Sequence, residues 1–463
     1  MSAIVDQLSA RLPPRSWTAD PDLIASHLVE WRGLYRGAAT FMAMPDSTEE
    51  VAAIVGACAE AGVPITPQGG NTGLVGAQIP NGEILLSLKR MNKIRSVSAE
   101  DDALVAEAGV VLKTVQEAAA EAGRVFPLSL GSEGSATIGG LISTNAGGVH
   151  VIRFGMMREQ VLGLEVVLPD GRVLPALKAL RKDNTGYDLK HLFIGAEGTL
   201  GIITAATLKL QPRAAEHVVA LVGLASPGAA LKLLHYMKVE TGAVVAFELM
   251  NPFATEMTLG AFPQFRDPLP NWNGWRVLIE MESIRAVGLR DAAEQALAGA
   301  MEKGLIQDAV VAENHAHARD LWRIREEIPA AQRTQGAQAS MDISVPVARV
   351  PDFLRDAEIE ARKLVPELRV LAFGHAGDGN IHYTVMQPPG PPNGAFWEKC
   401  VPLVQIVQDV AVAMGGSISA EHGIGVSRRE ELPRYKDEVA LDVMARVKAA
   451  LDPKRIMNPR SLT

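Results

Sequence analysis

Residues 67–77 read PQGGNTGLVGA, four glycines in eleven positions, between the apolar segments VPITP and EILLSL. Glycine lacks a Cβ, so it tolerates positive φ and lets backbone approach a ligand closely. Successive amide donors in such a loop can form an anion-binding nest. Three further segments repeat the character: PLSLGSEGSATIGG at 127–140, STNAGG at 143–148 and GAEGTLGIIT at 195–204. Asn71, Thr72, Ser132, Ser135, Thr144 and Asn145 add neutral hydrogen-bonding groups. Such loops suit a diphosphate. Turn glycine at the surface is the alternative for any one of them, and four together favour a large ligand. No G-x-G-x-x-G follows a strand and no G-x-x-x-x-G-K-[ST] occurs, so neither a Rossmann site nor a Walker loop is supported.

Working outward, MPDSTEEVAAIVGACAEAG offers a capping box, Ser47 to Glu50, and a stop at Gly62, which predicts a helix over 46–61. VPITPQGG, EILLSL and LVAEAGV read as strands, and VLKTVQEAAAEAG as a helix stopped by Gly123. VLGLEVVLPDGRVL reads as a hairpin turning at Asp170 and Gly171. Helices inserted among partly antiparallel strands predict an α+β fold. The glycine loops stop near residue 213, where a boundary is placed. Over 214–330 the order strand, helix, strand, strand, helix predicts a two-layer helix-on-sheet module.

Composition narrows the function. At 463 residues the chain is long enough for two or three domains. A net charge of -8 without any basic tract argues against nucleic acid as a partner. No signal peptide and no membrane span are visible, and two distant cysteines, Cys58 and Cys400, suit a reducing compartment, so the expectation is a soluble cytoplasmic protein. Two cysteines cannot build a thiolate metal centre. Any metal must use histidine and carboxylate.

Residues 371–385, LAFGHAGDGNIHYTV, place two of the 10 histidines seven positions apart. If VLAFGH and IHYTVM pair antiparallel across AGDGN, His375 and His382 face one another, within roughly 5 Å at Cβ for cross-strand neighbours. Both imidazoles could then reach one ion. GSISAEHGIG at 416–425 offers Glu421 as a third ligand, with His422 beside it. Two histidines and a carboxylate with open positions form a recognised set for zinc, iron or manganese. Satisfied structural histidines are the alternative. LWRIREEIPAAQRTQGAQASMDISVP supplies Arg323, Arg325 and Arg333, whose planar forks suit a carboxylate.

PQGGNTGLVGA, LGSEGSATIGG, NAGG, RFGMMREQVLGLEVVLPDG and LRKDNTGYDLKHLFIGAEGTLGIIT together resemble the FAD domain of the vanillyl-alcohol oxidase and para-cresol methylhydroxylase superfamily. With FGHAGDGNIH, GSISAEHGIG and LDPKRIMNP the resemblance narrows to the branch of D-lactate, D-2-hydroxyglutarate and glycolate dehydrogenases, over nearly the whole chain. It implies a two-subdomain FAD-binding domain over 1–213 with its core at about 37–213, an antiparallel substrate domain over 214–415, and a segment 416–463 completing the FAD domain and active site. FAD would be non-covalent, because the loop at 67–77 has neither histidine nor cysteine.

The implied FAD contacts are Pro67, Gly69, Gly70, Asn71, Thr72, Gly73, Leu74 and Gln78 in the first loop. The second loop adds Pro127, Leu130, Gly131, Ser132, Gly134, Ser135, Ile138, Gly139 and Gly140, and the third Ser143, Thr144, Asn145, Gly147 and Gly148. Glu197, Gly198, Gly201, Ile202 and Ile203 follow in the fourth, and Asn458 at the end of the chain. The branch uses His375, His382 and Glu421 as metal ligands, zinc being favoured over manganese or iron, and Arg325 for substrate. His422 is the candidate base, or else a group that orients Glu421, and Asn380 touches substrate or holds its loop.

The implied reaction is oxidation of a small 2-hydroxy acid, with hydride passing to flavin N5 and electrons to a separate protein or quinone. An oxidase using oxygen, and a non-catalytic FAD subunit of a larger oxidoreductase, are the alternatives. A homodimer is compatible with the branch. Members acting on 2-hydroxyglutarate carry Thr and Lys where this chain has Pro329 and Ser340. Loss of that lysine tilts the expected substrate toward lactate or another monocarboxylate.

Overall fold

A computed structural model describes residues 2–391 and 393–462. It divides into two compact units, the first of 1–148, 155–213 and 421–463, the second of 149–154 and 214–420. Residues 149–154 and 416–420 thus group with the second unit, whereas the sequence-based division placed them in the FAD domain and its C-terminal completion.

In the first unit the helix Thr48–Ala61 begins where Ser47 Oγ accepts the Glu50 amide at 3.2 Å. Glu50 reaches back to the Asp46 amide at 3.1 Å, one residue beyond the usual capping-box partner. Gly62, at φ 64°, ends it. Ile65–Gln68 and Ile84–Ser87 pair in parallel within a four-stranded sheet, and the loop 67–77 leaves the end of the first. A separate five-stranded antiparallel sheet holds the 161–176 hairpin, with Gly171 in its turn at φ 86°. Ile65 is clamped by the end of the chain, donating to Ile456 O at 2.8 Å and accepting from the Asn458 amide at 2.9 Å. The buried Lys448 ammonium fixes that end through Asp452, Thr199 O and Met457 O.

The second unit is built on seven antiparallel strands: β1 (Glu216–Leu224), β2 (Val244–Met250), β3 (Trp275–Ser283), β4 (Asp308–Val311), β5 (Gln338–Ser344), β6 (Arg369–His375) and β7 (Asn380–Met386), in the order β4-β1-β3-β2-β6-β7-β5. Helices Pro227–Thr241, Leu289–Glu302, Val350–Leu364 and Gly394–Ala413 cover one face, over Val218, Ala220, Phe247 and Tyr383. Helices Pro252–Ala261, His315–Glu326 and Ile328–Gln332 cover part of the other, over Val219, Leu221 and Leu278. The unit therefore has three layers, not the expected two. A sheet covered on both faces gives near-continuous apolar strands, as every residue of β2 is buried. Pro252–Ala261 was missed between β2 and β3. Its start was nevertheless legible, since Asn251 caps the Ala254 amide at 2.9 Å and Pro252 stands at the first helical position. No helix among the described residues is long and apolar enough to cross a membrane.

Candidate active site

The glycine loops of the first unit converge on one cavity of about 340 Å³, within the range of ordinary ligand sites. Residues 67–74, Gln78, Leu130, Gly131, Ser132, Gly139, Gly140, Ser143, Thr144, Gly147, Glu197, Gly198 and 201–203 line it, and so do Glu421, His422 and Asn458. The walls approach too closely for side chains. A Cβ on Gly70 would lie 2.0 Å from Ser135 O, and one on Gly69 2.2 Å from Thr137 Oγ1. Asn71 holds φ 60°, a left-handed conformation, while its amide donates to Val29 O and its carbonyl oxygen accepts from Gln78. No Lys or Arg lines the cavity among the described residues. A diphosphate there would meet backbone amides and hydroxyls. Thr137 Oγ1 is buried without a partner, the orphan donor a polar ligand would satisfy. These features fit FAD.

The same close approach yields an expected outcome. Gly70→Ala drives a Cβ into backbone, so the loops must part; the variant should purify with little or no flavin. Wild-type flavin content would mean that the loops tolerate separation.

Some expected contacts lie elsewhere. Ile138 is in the core, Pro127 is buried, and Gly134 and Ser135 are exposed. Asn145 accepts from the Arg158 amide at 2.9 Å, and Gly148 packs against the Ser129 carbonyl. None of these six lines the cavity. Glu197 and Asn458 line it, yet their polar atoms tie the loops to the chain's C-terminal segment. The buried Glu197 carboxylate accepts from the amides of Ile424 and Gly425, each at 2.8 Å, and from Ser461 Oγ at 2.6 Å. Burial pushes its pKa up against those three donors. Asn458 donates to Ala77 O and Glu197 O. Glu197 therefore anchors the loop that carries Glu421 and His422. Gln68, Ala108 and Thr137 also line the cavity and were missed, Thr137 being a hydroxyl inside the quoted SATIGG.

In the second unit β6 and β7 do pair antiparallel, but His382 stands opposite Phe373. His375 is two residues further along, on the same face. The imidazoles are diagonal neighbours, ring centroids 5.5 Å apart and nearly perpendicular, instead of facing directly. His375 itself pairs with Glu248 of β2, and Nδ1 lies 2.5 Å from Glu248 Oε1. A carboxylate accepts, so Nδ1 carries a proton, the arrangement that orients metal-binding imidazoles. Asp342 stands opposite His382 with Oδ1 3.9 Å from its Nδ1. Asn380 donates to Asp342 Oδ1 and Ile343 O, both at 2.9 Å. Its amide nitrogen thus holds the loop. Donor types and the orientation of His375 suit a divalent ion at this pair.

Arg325, on the helix His315–Glu326, is buried. Its Nε donates to Glu248 Oε2 at 2.7 Å and its guanidinium lies 4.6 Å from the Phe373 ring centroid. Burial would raise the Glu248 pKa, but the charges and hydrogen bonds of His375 and Arg325 outweigh it and hold the carboxyl at about 2. The two terminal nitrogens of Arg325 meet no protein acceptor among the described residues. Arg323 is exposed beside Asp320, and Arg333 is exposed. Pro329 lies in the helix Ile328–Gln332, and Ser340 accepts from Gln332 Nε2 at 2.9 Å. Glu248 and Asp342 were missed, though each is an acidic residue inside an apolar strand.

Two family comparisons match: the FAD linked oxidases, C-terminal domain, over residues 213–462, and the FAD binding domain over 39–176. The chain is 36% identical to a mitochondrial D-2-hydroxyglutarate dehydrogenase of Arabidopsis thaliana, spanning 95% of this chain and 78% of that protein. It is 34% identical to the D-2-hydroxyglutarate dehydrogenase of Stutzerimonas stutzeri, spanning 99% and 98%. The solved structure of p-cresol methylhydroxylase with substrate bound superposes with a TM-score of 0.78 at 16% identity, over 99% of this chain and 96% of that one. That last likeness establishes the fold.

Proposed function

The chain belongs to the FAD-linked oxidases and is an FAD-dependent 2-hydroxy acid dehydrogenase, and from that premise we propose that it oxidises a D-2-hydroxy acid to the 2-oxo acid with divalent-ion assistance, passing electrons to a separate acceptor. The observation carrying the acid substrate is Arg325, a buried guanidinium tied to Glu248 through Nε alone. Its remaining edge matches a carboxylate bidentately.

Bound FAD supplies the hydride acceptor, and a bound ion supplies Lewis acidity at the substrate hydroxyl. His375 and His382 would hold the ion, with Glu421 as third ligand as the sequence motifs imply. Glu248 holds His375 through Nδ1, which leaves Nε2 to face the ion once deprotonated. Arg325 would hold C1 and the ion the hydroxyl, and the two contacts together present the hydrogen of C2 in one sense only. His422, at the wall of the flavin cavity, accepts the hydroxyl proton. Glu197 keeps that histidine's loop in place.

The groups beyond the His382 rung of β5 and β7 are neutral: Ser340 stands opposite Thr384, and Gln332 Nε2 donates to both. No cation stands in that trio to meet a second carboxylate, which favours a short monocarboxylate such as D-lactate. The names of the relatives favour D-2-hydroxyglutarate as the second reading. Anaerobic mixing with each acid, with and without chelator, tests both points. D-lactate should reduce the flavin with the higher second-order rate constant, and chelation should abolish reduction until one divalent ion is restored. A higher rate constant with D-2-hydroxyglutarate would give preference to the second reading. Unchanged rates after verified metal removal would eliminate ion assistance.

A further inference from the structure

Across the same sheet face, on strands outside the His375–His382 pair, lies a second group of metal-ligating side chains. In the β1–β3 register His217 stands opposite Glu282, and Val219 opposite Glu280. Period-two alternation therefore puts His217, Glu280 and Glu282 on one face. His217 Nε2 is 2.5 Å from Glu280 Oε1. The segment 149–154 brings His150, whose Nε2 is 3.4 Å from Glu280 Oε2. His315 stacks on His217 with ring centroids 6.3 Å apart, and Arg153 donates to Gly242 O.

We propose that His217, Glu280 and Glu282, with His150 as a fourth donor, form a binding site for a divalent cation of the zinc class. One ligand atom from each of His217, Glu280 and Glu282 lies within 4.8 Å of the others. Donors around a zinc ion, each at about 2.1 Å, sit roughly 3.4 Å apart in a tetrahedron, so side-chain torsions alone can close the set. Two imidazoles and two carboxylates are a mixed nitrogen and oxygen set suited to zinc.

The cluster also sets two carboxylates side by side, and against its burial the Glu280 carboxyl is held at about 2 by His150 and His217. Glu280 is buried, and Glu282 is half-buried two residues along the same strand. Burial and the neighbouring Glu280 charge both push the Glu282 carboxyl up. His150, His217 and Arg153 act against that rise. A divalent ion offsets it with imidazoles in their neutral, ligating form. The ion would pin His150, and hence the inserted segment 149–154, to β1 and β3 of its own unit.

Zinc ions alone are the probe. The FAD-loaded full chain is stripped with chelator, titrated with Zn²⁺ by calorimetry, and counted by elemental analysis after gel filtration. His217→Gln and Glu282→Gln should each lose one equivalent relative to wild type while keeping flavin absorbance and flavin-reduction rates. His382→Gln removes any equivalent belonging to the other pair, so a failure of ion assistance in catalysis is read separately. Equal zinc stoichiometry in wild type and in both His217→Gln and Glu282→Gln overturns the proposal. So does a wild-type chain that binds no zinc beyond what His382→Gln removes. Glu282→Gln is a near-isosteric change at a half-exposed position, and its flavin spectrum reports folding.

Discussion

Replacing His422 by alanine is expected to leave FAD bound and to slow its reduction by a D-2-hydroxy acid by about 10²- to 10⁴-fold, the usual contribution of a positioned general base. Hydride cannot leave C2 unless the hydroxyl proton leaves as well. Among the described residues lining the flavin cavity the titratable side chains are Glu197, Glu421 and His422. Both Glu197 oxygens accept hydrogen bonds from the 424–425 amides, and Ser461 adds a third donor. In the proposed mechanism Glu421 is taken up by the ion. That leaves the imidazole as the proton acceptor in this reading. FAD should stay because Glu197 holds the 421–425 loop through backbone amides, which alanine at 422 preserves. Anaerobic stopped-flow reduction is the measurement. A rate constant within a few-fold of wild type would remove His422 from the base role and leave it a structural neighbour of Glu421.

How far the sequence reached differs between the two units for physical reasons. The glycine loops were legible because close backbone approach demands a missing Cβ, and Gly69 and Gly70 show that demand directly. Their ligand was legible in kind but not contact by contact. Ile138 and Asn145 lie in the quoted segments, yet one packs into the core and the other caps the Arg158 turn. In the second unit β6 and β7 follow from their apolar runs, but register does not. The turn at 376–379 does not by itself fix the stagger, and a shift of two residues keeps His375 and His382 on one face while making them diagonal. Glu248 could not be chosen from the sequence, since its partners lie 77 and 127 residues away. The helix Pro252–Ala261 was lost to a weak apolar period, despite a good cap.

Arg325→Ala should be costly in two separable ways. Glu248 is fully buried and its carboxyl is held at about 2 by His375 and Arg325 together. Deleting one partner of a buried ion pair strands a charge, typically at about 3–5 kcal/mol, so thermal unfolding should shift down by many degrees. The substrate also loses its fork. A bidentate charge-assisted contact of about 3 kcal/mol or more corresponds to a drop in kcat/KM of about 10²-fold or greater. Arg325→Ala with Glu248→Gln, read against Glu248→Gln alone, distinguishes the effects, because the neutral amide removes the stranded charge and the single variant carries any loss at His375. Stability should largely return in the double variant while kcat/KM stays low. Recovery of kcat/KM along with stability would show that Arg325 acts only by packing and pairing, and the substrate carboxylate would then need another cation.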